Sequence, residues 1–413
     1  AGKFGSMFLS QVPSTKGIEV LVIADLKPDN AVKACKNVGW SDDLINKTKF
    51  VDTGADAIKL NEVEVVIEAT GFPAAGIEHA RQAFQNGKHI IMVNVEADVL
   101  AGAALAKEAN SVGVVYSMAY GDQPALTAEI VEWARASGFN VTSAGKGTRY
   151  QPIYHKSSPD TVWDYYGLTH EEARKAGMNP KMFNSFLDGT KSGLEMAAIA
   201  NACDLEVPTN GLLFPPCGMD DLANILKPLE FGGLLEKNGQ VEVVSSLERD
   251  GRPVFKDLRW GVYAVLEAPN DYAASCFKQY GMNTDDTGKY SAMYKPFHLI
   301  GMELNISVFS AALLNQATGQ TKKFTGDVVS TTKKNLKKGE ILDGEGGATV
   351  WGKLVPSKLS LSMEALPIGL AHGIKLKNEI EENKIITWND VDFSSNDPAI
   401  SYRRKMEKDF KKS

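Results

Sequence analysis

Three groups of residues have types and spacings suited to chemistry. The first is Gly2-Lys3-Phe4-Gly5 after Ala1, which has the spacing of the tail of a G-x-G-x-x-G turn. Glycines serve there because one lets the backbone approach a pyrophosphate and the other lets the following helix pack closely on a sheet. The run Ile18 to Ala24 then reads as a buried strand ending at Asp25. That is about twenty residues past the last glycine, where a carboxylate can take ribose hydroxyls. The pattern predicts a dinucleotide site containing Gly2, Lys3, Phe4, Gly5 and Asp25, with the first glycine and its strand upstream of residue 1. A glycine-rich loop of some other α/β protein is the plainer alternative.

The second group is Gly145-Lys146-Gly147-Thr148-Arg149, read as the end of a strand over Phe139–Ala144. Lys146, Thr148 and Arg149 between flanking glycines offer side-chain and backbone donors to an oxyanion or phosphate. Lys156 adds a further donor, whereas the neighbouring His155 reads as structural; the spacing is not that of a P-loop. The third group is Asp188-Gly189-Thr190-Lys191-Ser192-Gly193-Leu194-Glu195. Lys191 and Glu195 share a helix face at i,i+4, and the apolar continuation Met196–Ala200 marks that helix as buried, so its charges need partners or a ligand. A surface ion pair is the alternative. A lysine suits carbonyl reduction, because its ammonium stabilises charge growing on oxygen and supplies a proton. Lys191 is the first candidate and Lys146 the second, with Glu195 or Asp188 setting position and protonation. Asp188, Glu195 and Glu129 are candidate oxygen ligands for a divalent metal, but their spacing forms no metal motif.

The elements that must hold these groups begin with alternating strands and helices. Strands are expected at Val63–Ala69, Ile90–Val93 and Val112–Tyr116, and helices at 74–86 and 98–110. This is the rhythm of a Rossmann-type parallel sheet covered on both faces. Open sheets of that kind bind ligands beyond the carboxyl ends of their strands, which singles out Thr70, Gly71 and Asn94 as further cofactor-binding candidates. From Gly121 a second unit follows, with a helix at 126–137. After Thr331 the chain turns to short strands and turns, a small β-rich appendage. The terminal run Arg403–Lys412 mixes signs and reads as a solvated tail or helix.

At 413 residues the chain is long enough for two to three domains. A net charge of −6 gives no general attraction to nucleic acid or anionic membrane. Cys35, Cys203, Cys217 and Cys276 are widely spaced, which suggests neither a zinc knot nor a disulfide framework and points to a reducing, cytoplasmic setting. No apolar run approaches the roughly 20 residues of a membrane span.

On Gly121-Asp122-Gln123-Pro124, Ser143–Thr148 and Asp188–Glu195, the chain from Ala1 to about Asp390 resembles the homoserine-dehydrogenase-like oxidoreductases with a C-terminal SAF domain. It resembles more closely those called 1-deoxy-D-xylulose 5-phosphate reductoisomerase-like. The resemblance implies an α/β nucleotide-binding domain at 1–120, an α+β catalytic and oligomerisation domain at 121–325, and a SAF-like β-rich domain and tail at 326–413. It implies a homo-oligomer that rearranges and reduces 1-deoxy-D-xylulose 5-phosphate to 2-C-methyl-D-erythritol 4-phosphate with NADPH. Asp25 favours NAD(H), because a carboxylate repels a 2′-phosphate, but Lys27 offers a counter-charge and NADP(H) is preferred. Asn94-Val95 stands where homoserine dehydrogenases often have Asn-Lys, which weighs against homoserine as substrate. Two alternatives remain: reduction of another small aldehyde or ketone, and an NAD(P)-binding sensor or structural protein.

Overall fold

The computed structural model of the protein describes residues 2–411. Ala1, which opens the glycine-rich turn, and Lys412 of the terminal run lie outside the described residues. The chain divides into two compact units, 1–129 with 298–321, and 130–297 with 322–413.

In the first unit, α1 (Lys3–Gln11) is followed by β1 (Val22–Ala24), α2 (Pro28–Asn37), α3 (Asp42–Lys47), β2 (Lys49–Val51), α4 (Gly54–Ile58) and β3 (Val65–Glu68). Then come α5 (Pro73–Gln85), β4 (His89–Met92), α6 (Val95–Ser111), β5 (Tyr116–Met118) and α7 (Gln123–Ala136), which runs on into the second unit. Every ladder here is parallel: β1 with β2, and β3-β4-β5 in that order. Parallel neighbours need a crossover, and each of these pairs is joined through helix, as the alternating pattern predicts. The two ladders share one core, in which Ile23 and Phe50 meet Ile67, Ile91 and the α1 residues Phe8 and Leu9. The strand expected at Val112–Tyr116 starts only at Tyr116. Gly113 has φ +74° and Val114 N–H returns to the Ala109 carbonyl, so this stretch closes α6 in a left-handed turn instead of pairing.

The second unit contains β6 (Asn140–Thr148), α8 (Val162–Tyr166), α9 (His170–Lys175), α10 (Pro180–Leu187), α11 (Thr190–Cys203), α12 (Leu222–Ile225), β7 (Gln240–Ser245), β8 (Val262–Glu267), α13 (Asp271–Gln279) and β9 (Tyr290–Lys295). α14 (Asn305–Leu314) belongs to the first unit. The sheet order is β7-β6-β8-β9, with β6 parallel to β7 and antiparallel to β8. β10 (Gly326–Thr332), β11 (Ile341–Asp343), β12 (Val350–Pro356), α15 (Ser357–Met363), β13 (His372–Leu376), β14 (Val391–Asp392) and α16 (Pro398–Lys411) complete the chain. Their ladders, β10-β12 and β11-β13-β14, are antiparallel, giving the β-rich C-terminal part.

α11 is the axis of this unit. All its residues except Lys191 are buried, as a helix apolar on every side must be. On one side it meets the four-stranded sheet: a Cβ on Gly145 would lie 3.1 Å from the Met196 sulfur. On the other it meets the β10-β12 ladder: a Cβ on Gly193 would lie 3.1 Å from the Gly352 carbonyl oxygen. The expected strand Phe139–Ala144 runs on to Thr148, so Gly145, Lys146 and Gly147 sit inside β6 and not in a loop. The two glycines are there for packing, since a Cβ on Gly145 would collide with the Glu242 carbonyl and one on Gly147 with that of Leu258.

Candidate functional site

In the first unit the polar candidates gather at helix starts and strand ends. Gly2 is the N-cap of α1, with no side chain capping the first turn and no acid within it. Free N–H groups and the positive end of the helix dipole are thereby left for an anion. A Cβ on Gly2 or on Gly5 would meet nothing within 4 Å, so neither glycine is explained by packing inside the chain. Lys3 is exposed, whereas Phe4 packs against the core shared by β1 to β4. Asp25 directly follows β1; its N–H bonds the Val51 carbonyl, and its carboxylate accepts from Lys27 N–H at 2.9 Å.

Thr70, Gly71 and Asn94 are brought together beyond β3 and β4. The Asn94 side chain caps α6 by accepting from Ala97 N–H, and donates to the Phe72 carbonyl at 3.0 Å and to Thr70 Oγ1 at 3.4 Å. Its polar groups are thus met locally, which fits an ordering role at the strand end. Glu68, which ends β3, was not singled out in the sequence. It is 2% exposed; one carboxylate oxygen meets Thr70 N–H at 3.2 Å and the His79 ring at 3.3 Å, and the other is buried without a hydrogen-bond partner. A nicotinamide dinucleotide fits an open helix start for the pyrophosphate and an acid after β1.

In the second unit the Lys146 ammonium on β6 is bonded to the Glu195 carboxylate on α11, with side chains 7% and 6% exposed. The sequence placed Glu195 with Lys191. The structure gives it to Lys146, because Glu195 faces the sheet while Lys191, one turn earlier, is the only α11 residue not buried. Asp188 is likewise separate from Lys191. One of its oxygens accepts from Thr190 N–H at 2.9 Å, starting α11, and the other from Lys333 Nζ at 2.7 Å. Lys333 also donates to the Ser157 and Gly347 carbonyls, 2.7 Å each, so all three of its protons are used.

The proposed phosphate donors diverge. Lys156 is exposed and paired with Glu382 at 2.7 Å. Thr148 closes β6, and its carbonyl accepts from Ser246 N–H. Arg149 is the distinctive one, for its Nε is buried without a hydrogen-bond partner. Burial raises the Tyr166 phenol, while Arg259 and then Arg149 act in the opposite direction, which places both guanidinium groups near that hydroxyl. Arg259 lies 110 residues beyond Arg149 in no readable pattern, and only the fold reveals it.

Two buried carboxyl groups outside these clusters are displaced from the ordinary range. Burial pushes Asp98 up to about 6 against hydrogen bonds from Tyr116 and Thr321. Burial pushes Glu242 up to about 7 against backbone N–H bonds from Val243, Leu213 and Phe214. A carboxyl whose folded pKa is raised holds its proton in the native state after the unfolded chain has lost it. Its stabilising effect is complete below about 4.5 and is lost as pH rises toward about 7. Glu242→Gln should therefore flatten the fall in unfolding free energy across that window by roughly 3 kcal/mol. Denaturant titrations at a series of pH values check this; an unchanged slope would return Glu242 to an ionised role. No group of three His, Cys, Asp or Glu residues able to hold a metal occurs among the described residues. Glu129, the third candidate ligand, accepts from the Tyr120 hydroxyl at 2.6 Å.

Residues 121–304 match the family described as oxidoreductase DRL, catalytic domain. Lys146, Asp188, Lys191 and Glu195 all fall inside the matched segment. No curated protein matches the chain. Among solved structures, the Bacillus subtilis protein yvaA is 15% identical over 38% of this chain, with a TM-score of 0.28. The chain spans only 44% of that protein's length. A protein from Bacteroides fragilis is 13% identical, covering 78% of this chain and 89% of its own, with a TM-score of 0.34. A levoglucosan dehydrogenase solved with NADH and L-sorbose is 15% identical, covering 71% and 63%, with a TM-score of 0.33. Likeness at this level decides nothing about the site. Among the described residues no helix is long and apolar enough to cross a membrane.

Proposed function

We propose that this chain is an NAD(P)-dependent oxidoreductase that reduces a small carbonyl compound. The observation that carries the reading is the buried Lys146–Glu195 pair, lying in the segment similar to an oxidoreductase catalytic domain. Glu195 pairs with the Lys146 ammonium and holds it in position. That ammonium stabilises the negative charge growing on a carbonyl oxygen and delivers the proton that completes the alcohol. The bound nicotinamide would supply the hydride. Gly2, Lys3, Phe4 and Gly5 would hold its pyrophosphate, Asp25 its adenosine ribose, and Thr70, Gly71 and Asn94 the border of the nicotinamide. Lys191 is retained as the alternative proton donor.

The finer reading is that the substrate is phosphorylated and is 1-deoxy-D-xylulose 5-phosphate, rearranged and reduced with NADP(H) in preference to NAD(H). Arg149 supports the phosphate, because its guanidinium has a buried nitrogen without a hydrogen-bond partner, and a guanidinium favours a phosphate dianion. Asp188 and Glu195 are each bound to a lysine and do not fit a metal site. The functional division proposed is 1–120 for the cofactor, 121–325 for catalysis and self-association, and 326–413 as a SAF-like part that covers or modulates the site. Incubation of the full chain with 1-deoxy-D-xylulose 5-phosphate, homoserine and related sugar phosphates under both cofactors, with product identification, tests the substrate. Preference for homoserine would end the phosphorylated-ketose reading.

Gly5→Ala separates the cofactor role from folding. The added methyl meets no described atom, and in a helix alanine is favoured over glycine by about 1 kcal/mol. The melting temperature should hold or rise while NADPH binding weakens. Unchanged affinity by calorimetry would remove Gly5 from the cofactor site.

A further inference from the structure

A separate cavity of about 210 Å³ lies in the second unit, lined by His155, Gly189, Phe214, Trp351 and Lys353 among others. It is distinct from the Lys146–Glu195 pair. Gly193, which also lines it, and Glu195 are two residues apart on α11, about 200° around the helix, so they face opposite ways. Two aromatic stacks fix its walls: His155 on Trp351 and Tyr150 on Phe214, each with ring centroids 4.0 Å apart. His155 is locked at both nitrogens. Its Nδ1–H donates to the Asp188 carbonyl at 2.7 Å, which leaves Nε2 to accept the Tyr150 hydroxyl at 2.9 Å. Burial lowers its pKa, so the ring is neutral and offers no free N–H.

The lining contains one cation, Lys353, and no acid. Lys353 is half-buried, and its ammonium makes no hydrogen bond or ion pair among the described residues. Two acids bonded to lining residues are already engaged: Asp188, whose carbonyl accepts from His155, with Lys333, and Glu242, which accepts from Phe214 N–H, with three backbone N–H groups in all. A positive charge without a partner, beside the Trp351 and Phe214 rings and the Asn210 amide, asks for one negative charge carried on a flat body.

We propose that this cavity binds a small organic monoanion, its carboxylate on Lys353 and its body against the Trp351 and Phe214 side. A phosphate dianion would keep a charge that the single ammonium of the lining does not balance. A nucleotide is too large, because sites for drug-sized ligands run to about 300–1,000 Å³.

Calorimetry of the full chain with benzoate as probe tests this without any need for turnover, so it stands or falls apart from the oxidoreductase reading. Saturable binding is expected, weakened at least tenfold in Lys353→Met and for the uncharged isostere benzamide. Circular dichroism should show the variant folded as the parent. Absent benzoate binding, equal affinity in Lys353→Met, equal affinity for benzamide, or tighter binding of inorganic phosphate would each overturn the proposal.

Discussion

Replacing Lys146 by Met should lower kcat by about 10²-fold or more, the range for loss of a general acid. The single variant also leaves the Glu195 carboxylate buried without its cation, and breaking a buried pair in that way costs about 3–5 kcal/mol. Lost activity alone would therefore not separate chemistry from folding. The double variant Lys146→Met with Glu195→Met does, because it removes both charges from the interior and such exchanges are often neutral for stability. Its melting temperature should return toward that of the parent while turnover stays low. Lys191→Ala, at the one position of α11 that is not buried, should change stability little. If that variant lost turnover and the double variant kept it, the proton donor would be Lys191 and the buried pair would be a packing device.

The division between what the residues announced and what only the fold supplied follows sequence distance. Alternating apolar runs and their glycine stops located β3, α5, β4 and α6 closely, because a parallel strand covered on both faces must be apolar throughout. Local spacing also located Lys146, Asp188 and Glu195 as residues needing partners, since charges beside the run Met196–Ala200 have to be neutralised. It could not say which partners. Lys146 finds Glu195 across 49 residues and Lys333 finds Asp188 across 145, and the i,i+4 rule that joined Lys191 to Glu195 holds only where a helix face is free of tertiary contacts. Gly145 and Gly147 misled in a similar way. Glycines beside a lysine suggest a ligand loop, but here they admit neighbouring carbonyl oxygens in the middle of a sheet. The terminal run is the sharpest case, because mixed charges conceal a buried face: α16 carries Arg403, fully buried, among residues that otherwise read as solvated.

Arg403→Met should cost about 3–5 kcal/mol, the range for breaking a buried ion pair from one side. The guanidinium donates to Asp327 at 2.5 Å and, through Nε, to Glu407 at 2.9 Å, and lies 5.0 Å from the centre of the Phe324 ring. Methionine fills much of the volume but leaves the Asp327 carboxylate, which also holds Ser360, facing the interior without its cation, while Glu407 keeps Arg404 and Trp388. Lys411→Ala, on the same helix, supplies the contrast. Its pair with Glu364 is 2.9 Å long but more than a third exposed on both sides, where pairs contribute about 0–1 kcal/mol. Denaturant unfolding of both variants reads the difference directly, and an Arg403→Met protein within 1 kcal/mol of the parent would show that water reaches the pair. The consequence extends to the candidate site. Asp327 belongs to β10, which packs on the side of α11 opposite Glu195, so the anchor that holds the C-terminal helix also backs the helix that presents the proposed catalytic pair.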